Sequence, residues 1–321
     1  MHRRCGPLDV AVASRDDRLV ALALQCLELY GWHWPRTTCR ARIDLTRAND
    51  DARVEGAYLT CARMRVDRSE HGFLASTLSG TVARGYIDAN GDHWKIHIPP
   101  ALELQEPEIK DIEDIISLAC TVGWRRQGWI PLHAAAVIRD NVCAILCAPS
   151  GGGKSTLAAA LLRQGWQTLG DDKLLMRCDE ERPVIAALLK TFNLHPKTST
   201  WFSGLENIHD LPRYSAWTEK RHVAIDAIAR GVARSHATPT HLIQIERHHS
   251  SQAVVLESMD SRDILPTLLR QVVIPCEREV VTQIVSVAST ISKNLHGFVM
   301  RIGEDVYARA GWWKPLDQAL T

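Results

Sequence analysis

An α/β fold with a mixed sheet, preceded by a small α+β N-terminal domain, follows from three observations in the sequence. The first is an apolar β-run, Val142 to Cys147, that opens through Ser150-Gly-Gly-Gly153 into the helix-forming run Leu157 to Arg163. The second is the alternation of strand-like and helix-like stretches from residue 105 onward, the pattern of a sheet covered by helices. The third is the texture of the first 104 residues, one amphipathic helix and then short β-prone segments. The sequence therefore divides into domains over 1–104 and 105–321. A chain of 321 residues can bury a full core in one large or two modest domains.

In chain order, residues 18–30 carry apolar side chains at helical spacing and stop at Gly31. Segments with β character follow at Ala57–Cys61, Gly72–Thr77, Gly80–Asp88 and His93–Ile98, with Asn90-Gly91 marking a hairpin turn between the last two. Pro99 to Pro107 is acidic and punctuated by proline, which marks it as a linker. Beyond it, Ile109, Ile112, Ile115, Ile116, Ala119 and Cys120 predict a helix over 108–127. A hairpin then runs from Leu132–Arg139 through Asp140-Asn141 into Val142–Cys147, with His133 at its start.

A short strand at 165–172 ends in Asp171-Asp172, and 173–177 with 184–190 read as a further hairpin. The polar stretch holding Pro196 and Pro212 is too long for a plain connection and predicts a functional loop or a lid with short helices. Strands at 241–247, 253–257 and 298–302 and helices at 260–272 and 277–292 complete the reading.

The chemistry centres on Ser150-Gly-Gly-Gly-Lys-Ser-Thr156. Glycines let the backbone turn its N–H groups inward, which makes a concave anion site. Lys154 is then placed to reach β/γ-phosphates, Ser155 to offer its hydroxyl to Mg²⁺, and the helix N-terminus adds partial positive charge. Ala148 stands where the usual P-loop pattern has its first glycine, but the flanking strand and helix are both present. Asp171 lies 17 residues beyond Lys154, at the end of the next strand, where strand ends and phosphates share one edge. Carboxylates there bind Mg²⁺ or accept the proton of an attacking hydroxyl.

Leu132-His-Ala-Ala-Ala-Val137, Ala148-Pro-Ser-Gly-Gly-Gly-Lys-Ser-Thr-Leu157 and Leu169-Gly-Asp-Asp172, in that order, resemble consecutive motifs of the HPr kinase/phosphorylase-like serine kinases. The resemblance covers about residues 108–302 and is sharpest over 130–175. It implies a P-loop core similar to HPr kinase and phosphoenolpyruvate carboxykinase, with ATP and Mg²⁺ as cofactors. It places His133 beside the transferred phosphate and Lys154, Ser155 and the surrounding loop, Ser150, Gly151, Gly152, Gly153 and Thr156, on the nucleotide. It makes Asp171 or Asp172 the group that activates the acceptor hydroxyl; of the two, Asp171 is read as the base and Asp172, with Ser155, as the metal ligand.

The Gly-Ile-Arg-Gly-Leu-Gly-Ile type of signature is absent after Asp172, and the first 100 residues do not look like the regulatory domain of the bifunctional enzymes. Shorter relatives, including kinases of peptide natural-product clusters that phosphorylate a lasso-peptide precursor on a C-terminal Ser, are more similar. The implied acceptor is accordingly a Ser of a peptide or small protein, with a small molecule as the alternative. A nucleotide-binding regulatory module, or an ATPase without transfer, is the competing class. Lys197, Lys220 and Arg221 are the basic candidates for handling the acceptor, and Glu206 is a second metal ligand by analogy alone.

Composition narrows the rest. Lys and Arg number 38 against 37 Asp and Glu, so no overall field recruits nucleic acid or membrane. Nine scattered cysteines show no metal-ligand spacing and read as reduced and structural. Without a secretory h-region or an apolar span, the sequence predicts a cytoplasmic protein, for which a homo-oligomer is compatible. The ten Trp residues read mainly as core.

Overall fold

A computed structural model describes residues 1–31, 34, 39–60, 64–77, 83–100, 103–215, 218–247, 254–275, 277–303 and 306–320. Two compact units emerge, one formed by 1–130, 215–217 and 274–281, the other by 131–214, 218–273 and 282–321.

The first unit is built on a mixed eight-stranded sheet. Its strands are β1 (His2–Cys5), β2 (Leu8–Ala13), β3 (Arg40–Arg47), β4 (Leu59–Thr60), β5 (Met64–Ser69), β6 (Gly72–Thr77), β7 (Arg84–Asp88) and β8 (His93–Ile98), in the order β1-β2-β3-β8-β7-β6-β5-β4. Only β2–β3 and β3–β8 are parallel among the registered pairs. Helix α1 (Asp17–Leu29) starts where the Asp16 carboxylate accepts from the Arg18 N–H at 3.0 Å. It buries Leu19, Leu22, Ala23, Cys26 and Leu27, one face at helical spacing.

Helix α2 (Glu106–Arg126) belongs to this unit rather than to the second, where the sequence placed it. The reason is its apolar face: Ile112, Ile115, Ile116, Ala119 and Cys120 are fully buried, and the helix packs on α1, β2, β6, β7 and β8. Trp124 locks the arrangement, donating its indole N–H to the Cys5 carbonyl at 3.0 Å. The Asn90-Gly91 turn forms as expected, with Gly91 at φ +70 and so close to α2 that a Cβ there would meet the Gly123 nitrogen at 2.7 Å. Residues 61 and 80–82 of the expected strands, and 101–102 of the expected linker, lie outside the described residues.

The second unit holds the glycine loop. Its strands are β9 (Ile130–Leu132), β10 (Ala135–Arg139), β11 (Val142–Cys147), β12 (Gln167–Gly170), β13 (Leu174–Asp179), β14 (Arg182–Ala187), β15 (Thr191–Leu194), β16 (Arg213–Ser215), β17 (Thr218–Ala224), β18 (His236–Ala237), β19 (His241–Arg247), β20 (Val255–Ser258) and β21 (His296–Ile302). The helices are α3 (Lys154–Leu162), α4 (Ile225–Ile228), α5 (Ser261–Leu269), α6 (Arg278–Ser292), of which residues 282–292 belong to this unit, and α7 (Lys314–Leu320).

A six-stranded sheet of order β12-β10-β11-β19-β21-β20 is the spine, with β11, β19 and β21 mutually parallel and β10, β12 and β20 antiparallel to their neighbours. Helix α3 is apolar on every side, and Leu157 to Leu162 are all buried, which fixes the loop before it to the sheet. Two smaller sheets, β18-β14-β13-β9 and β15-β17-β16, complete the unit.

Three expectations change here. The strand expected over 132–139 is broken: β9 ends at Leu132, β10 begins at Ala135, and His133 with Ala134 forms the joint. Pro131 lacks a ladder donor, and the His133 N–H turns to the Gln271 carbonyl at 2.8 Å instead. The polar stretch around Pro196 and Pro212 contains 3-10 turns at Pro196–Thr200 and Ile208–Asp210, but it also supplies the β15–β17 pair. The C-terminal helix α7 was unforeseen and is held by the Arg139–Asp317 ion pair at 2.8 Å.

Candidate functional site

β11 ends at Cys147, and the chain turns through Ala148 to Gly153 before Lys154 opens α3. Gly151 and Gly153 have φ +76 and +99, a region that side-chain-bearing residues rarely occupy. Gly152 has no room for a side chain, because a Cβ would meet that of Ala148 at 2.7 Å and the Pro149 carbonyl oxygen at 2.9 Å. Lys154, 6% exposed, donates from Nζ to the Ala148 carbonyl at 2.8 Å, so its ammonium is folded back over the loop. Burial lowers its pKa, and Asp172 and Asp171 counter that in part.

The two aspartates divide sharply. Asp171 is 0% exposed: Oδ1 accepts from the Ser155 hydroxyl at 2.8 Å and Oδ2 from the Asn193 N–H at 3.0 Å. Asp172 borders the cavity, and its Oδ1 lies 2.8 Å from Nε2 of His133. Both follow the end of β12 at Gly170, where the chain bends so that Asp171 turns into the core and Asp172 to the cavity. A φ of +68 at Asp172 completes that turn, a conformation Asp tolerates better than most residues. Asp171, expected to face the acceptor, instead braces Ser155 and β15.

Their acidities separate for the same reason. Burial first, then repulsion from Asp172, pushes Asp171 up to about 6 from 3.8, against the pull of its two hydrogen bonds. For Asp172 burial also opposes ionisation, but the hydrogen bond and charge of His133, with Lys173 and Lys220, outweigh it and lower the value to about 2.

A folded-state value above the unfolded 3.8 means that the folded chain holds the Asp171 proton more tightly. Its stabilising contribution is complete below pH 3.8 and lost as pH rises through about 6. At about 1.36 kcal/mol per pKa unit, the loss amounts to about 3 kcal/mol. Urea unfolding at pH 4 and pH 7 checks this. Wild type should lose about 2 kcal/mol more across that interval than Asp171→Asn; identical profiles would mean that Asp171 titrates normally.

All of Ser150 to Thr156 border a cavity of about 320 Å³, within the range of small-molecule sites. His133, Asp172, Lys197 and Lys220 border it too. From the cavity wall the charge of Lys220 acts weakly on Asp171, Asp172 and Lys154. Arg221 does not border the cavity and donates to the Leu211 carbonyl at 3.0 Å. Glu206 is outside it as well, accepting from the Gly204 N–H at 2.8 Å.

Among the lining residues that were not anticipated, Arg247, Asn193, Trp201 and Tyr307 bear on the chemistry. Arg247, at the end of β19, reaches over the loop, so that a Cβ on Gly153 would lie 3.4 Å from its Nε. The signal was available: β19 runs parallel to β11, so their C-terminal ends share an edge. Asn193 borders the cavity from β15, in which Phe192, Asn193 and Leu194 are all buried, and His195, just past the strand, borders it too. Trp201 and Tyr307, with ring centroids 5.4 Å apart, add an aromatic wall.

Among the described residues, no group of three or more His, Cys, Asp and Glu side chains is placed to cage a metal, and no helix is long and apolar enough to cross a membrane. The seven described cysteines are free thiols.

No protein-family model matches the chain, and no curated protein sequence matches it. Solved structures do. One is the Hpr(Ser) kinase/phosphatase from Coxiella burnetii, at 10% sequence identity and a TM-score of 0.28, over 50% of this chain and 93% of that one. At that identity and TM-score the likeness assigns neither an activity nor a substrate.

Proposed function

We propose that this chain is an ATP- and Mg²⁺-dependent phosphotransferase that moves the γ-phosphoryl group to a hydroxyl, with a Ser of a peptide or small protein as acceptor. One observation carries the reading. The glycine loop with Lys154 and the Asp172–His133 pair border the same cavity. A phosphate loop alone serves any nucleotide-binding protein. A carboxylate held by an imidazole across the same space adds a means of taking a hydroxyl proton.

The residues fit the two cofactors. Gly151 and Gly153 at positive φ, a Gly152 with no room for a Cβ, a buried lysine and a helix N-terminus suit a triphosphate. Ser155 Oγ, 2.8 Å from Asp171, offers a hard oxygen donor of the kind Mg²⁺ prefers, an ion that keeps water and phosphate among its ligands. When bound, Mg²⁺ neutralises charge on the phosphates.

The chain's own groups then take distinct roles. Loop N–H groups and Lys154 hold the β- and γ-phosphates, and Arg247 and Lys220 stabilise charge on the transferred group. Asp172, ionised throughout the neutral range, accepts the hydroxyl proton while His133 fixes its carboxylate. Asp171 orients Ser155, the reverse of the division drawn from the sequence. Lys197 stands toward the acceptor, and Trp201 offers a flat surface to a nucleobase.

ADP release measured with and without a pool of Ser-containing peptides tests the assignment. The phosphotransferase reading expects release that depends on peptide. Equal release without peptide would identify a plain ATPase, and ATP binding without consumption would identify a regulatory nucleotide-binding module.

A further inference from the structure

Asn193 is 2% exposed, yet neither its carboxamide nitrogen nor its oxygen has a hydrogen-bond partner. Buried amides are nearly always paired, because leaving both ends open sacrifices their hydration for nothing. The side chain belongs to the wall of the cavity, so the missing partner is to be sought there.

Its position narrows that partner. The Asn193 N–H donates to one oxygen of Asp171, whose other oxygen accepts from the Ser155 hydroxyl. Ser155, Asp171 and Asn193 thus form one continuous chain at the hydroxyl end of the loop. In the β15–β17 register Asn193 pairs with His222 and Leu194 with Arg221, which sets His195 and Lys220 next along the same face. That face is fixed by β-ladder bonds rather than by a loop, as a preorganised binding group requires.

Chemistry narrows it further. Phosphoryl oxygens only accept, so they can engage the Asn193 nitrogen but leave its oxygen unpaired. A hydrated divalent cation engages the oxygen and leaves the nitrogen. A metal–triphosphate complex supplies both at once. We propose that Asn193 is a binding residue for that complex, its carboxamide oxygen toward the hydrated cation and its nitrogen donating to a phosphoryl oxygen. The proposal rests on the nucleotide reading above.

Full-length wild type, Asn193→Leu and Asn193→Asp test it by two readouts: the unfolding midpoint without ligand, and ATP affinity by calorimetry in excess Mg²⁺ and in EDTA. Leu replaces an unpaired amide by an apolar group of similar size, so the ligand-free midpoint should rise by about 2–4 °C. Its ATP affinity in Mg²⁺ should fall at least about tenfold, with at most about a threefold change in EDTA. Asp keeps a hard oxygen donor and should restore most of the Mg²⁺-dependent affinity while weakening binding in EDTA.

Equal losses with and without the metal would overturn the proposal. So would unchanged affinity with a lower midpoint for Leu, which marks a structural amide, or unchanged affinity with a raised KM for the peptide, which marks an acceptor contact. Wild type that binds ATP while the variants bind it alike sinks this inference alone; wild type that binds no ATP sinks the functional reading with it.

Discussion

Asp172→Asn is expected to lower phosphoryl transfer by about 10²–10⁴-fold while leaving ATP affinity within about threefold. The substitution keeps size and shape, so the turn at φ +68 persists, and Asn tolerates that conformation as Asp does. What disappears is the anion. The wild-type carboxylate titrates at about 2 because His133, Lys173 and Lys220 outweigh the cost of its burial, so it is ionised at any pH above about 3. An amide can neither take the hydroxyl proton nor attract these cations. Because the loss is confined to the transition state, kcat should fall and nucleotide affinity hold; a parallel fall of both would show that Asp172 binds the ground-state phosphates instead.

Lys154→Ala should weaken ATP binding and lower the residual rate, each by about 10²–10³-fold. In the ligand-free chain the ammonium rests on the Ala148 carbonyl at 2.8 Å and burial lowers its pKa. A charged donor held in so dry a place is worth more to an incoming phosphate than an exposed one. Arginine is a poor replacement, since its planar fork needs more room than this 6% exposed position provides. Titration calorimetry and steady-state rates on both variants separate the effects: Lys154→Ala moves affinity and rate, Asp172→Asn the rate alone. Wild-type affinity in Lys154→Ala would remove the loop from the phosphates.

Much of this site was legible because its chemistry is local. The strand, three glycines, Lys154 and the apolar helix behind them lie within one short stretch, and their spacing alone predicts the strand, loop and helix that the structure shows. Elements with strong periodicity, such as α1 and the face of α2, also followed from the sequence. The assignment of α2 to the second domain did not survive, because a helix's spacing shows that it has an apolar face but not which sheet will cover it.

Strand β3 was missed although its Arg-Ala-Arg-Ile-Asp-Leu-Thr-Arg order alternates as a half-buried strand should, with Ala41, Ile43 and Leu45 inward. Its many charges masked the period of two. What lay beyond reach was set by long-range pairing. The division of labour between Asp171 and Asp172 depends on a backbone turn and on Asn193, 22 residues away. Arg247 joins the loop only because β19 pairs with β11, and Asn193 gains its meaning from a ladder between β15 and β17 within a stretch that reads as polar loop.

The central claim is that one cavity holds both the phosphate loop and the base for a hydroxyl acceptor. Intact-mass spectrometry of a Ser-containing peptide pool, incubated with ATP, Mg²⁺ and either wild type or Asp172→Asn, tests it most directly. The account predicts acceptors heavier by one phosphate, about 80 Da, with wild type and none above background with the variant. Equal phosphorylation by both proteins would contradict it.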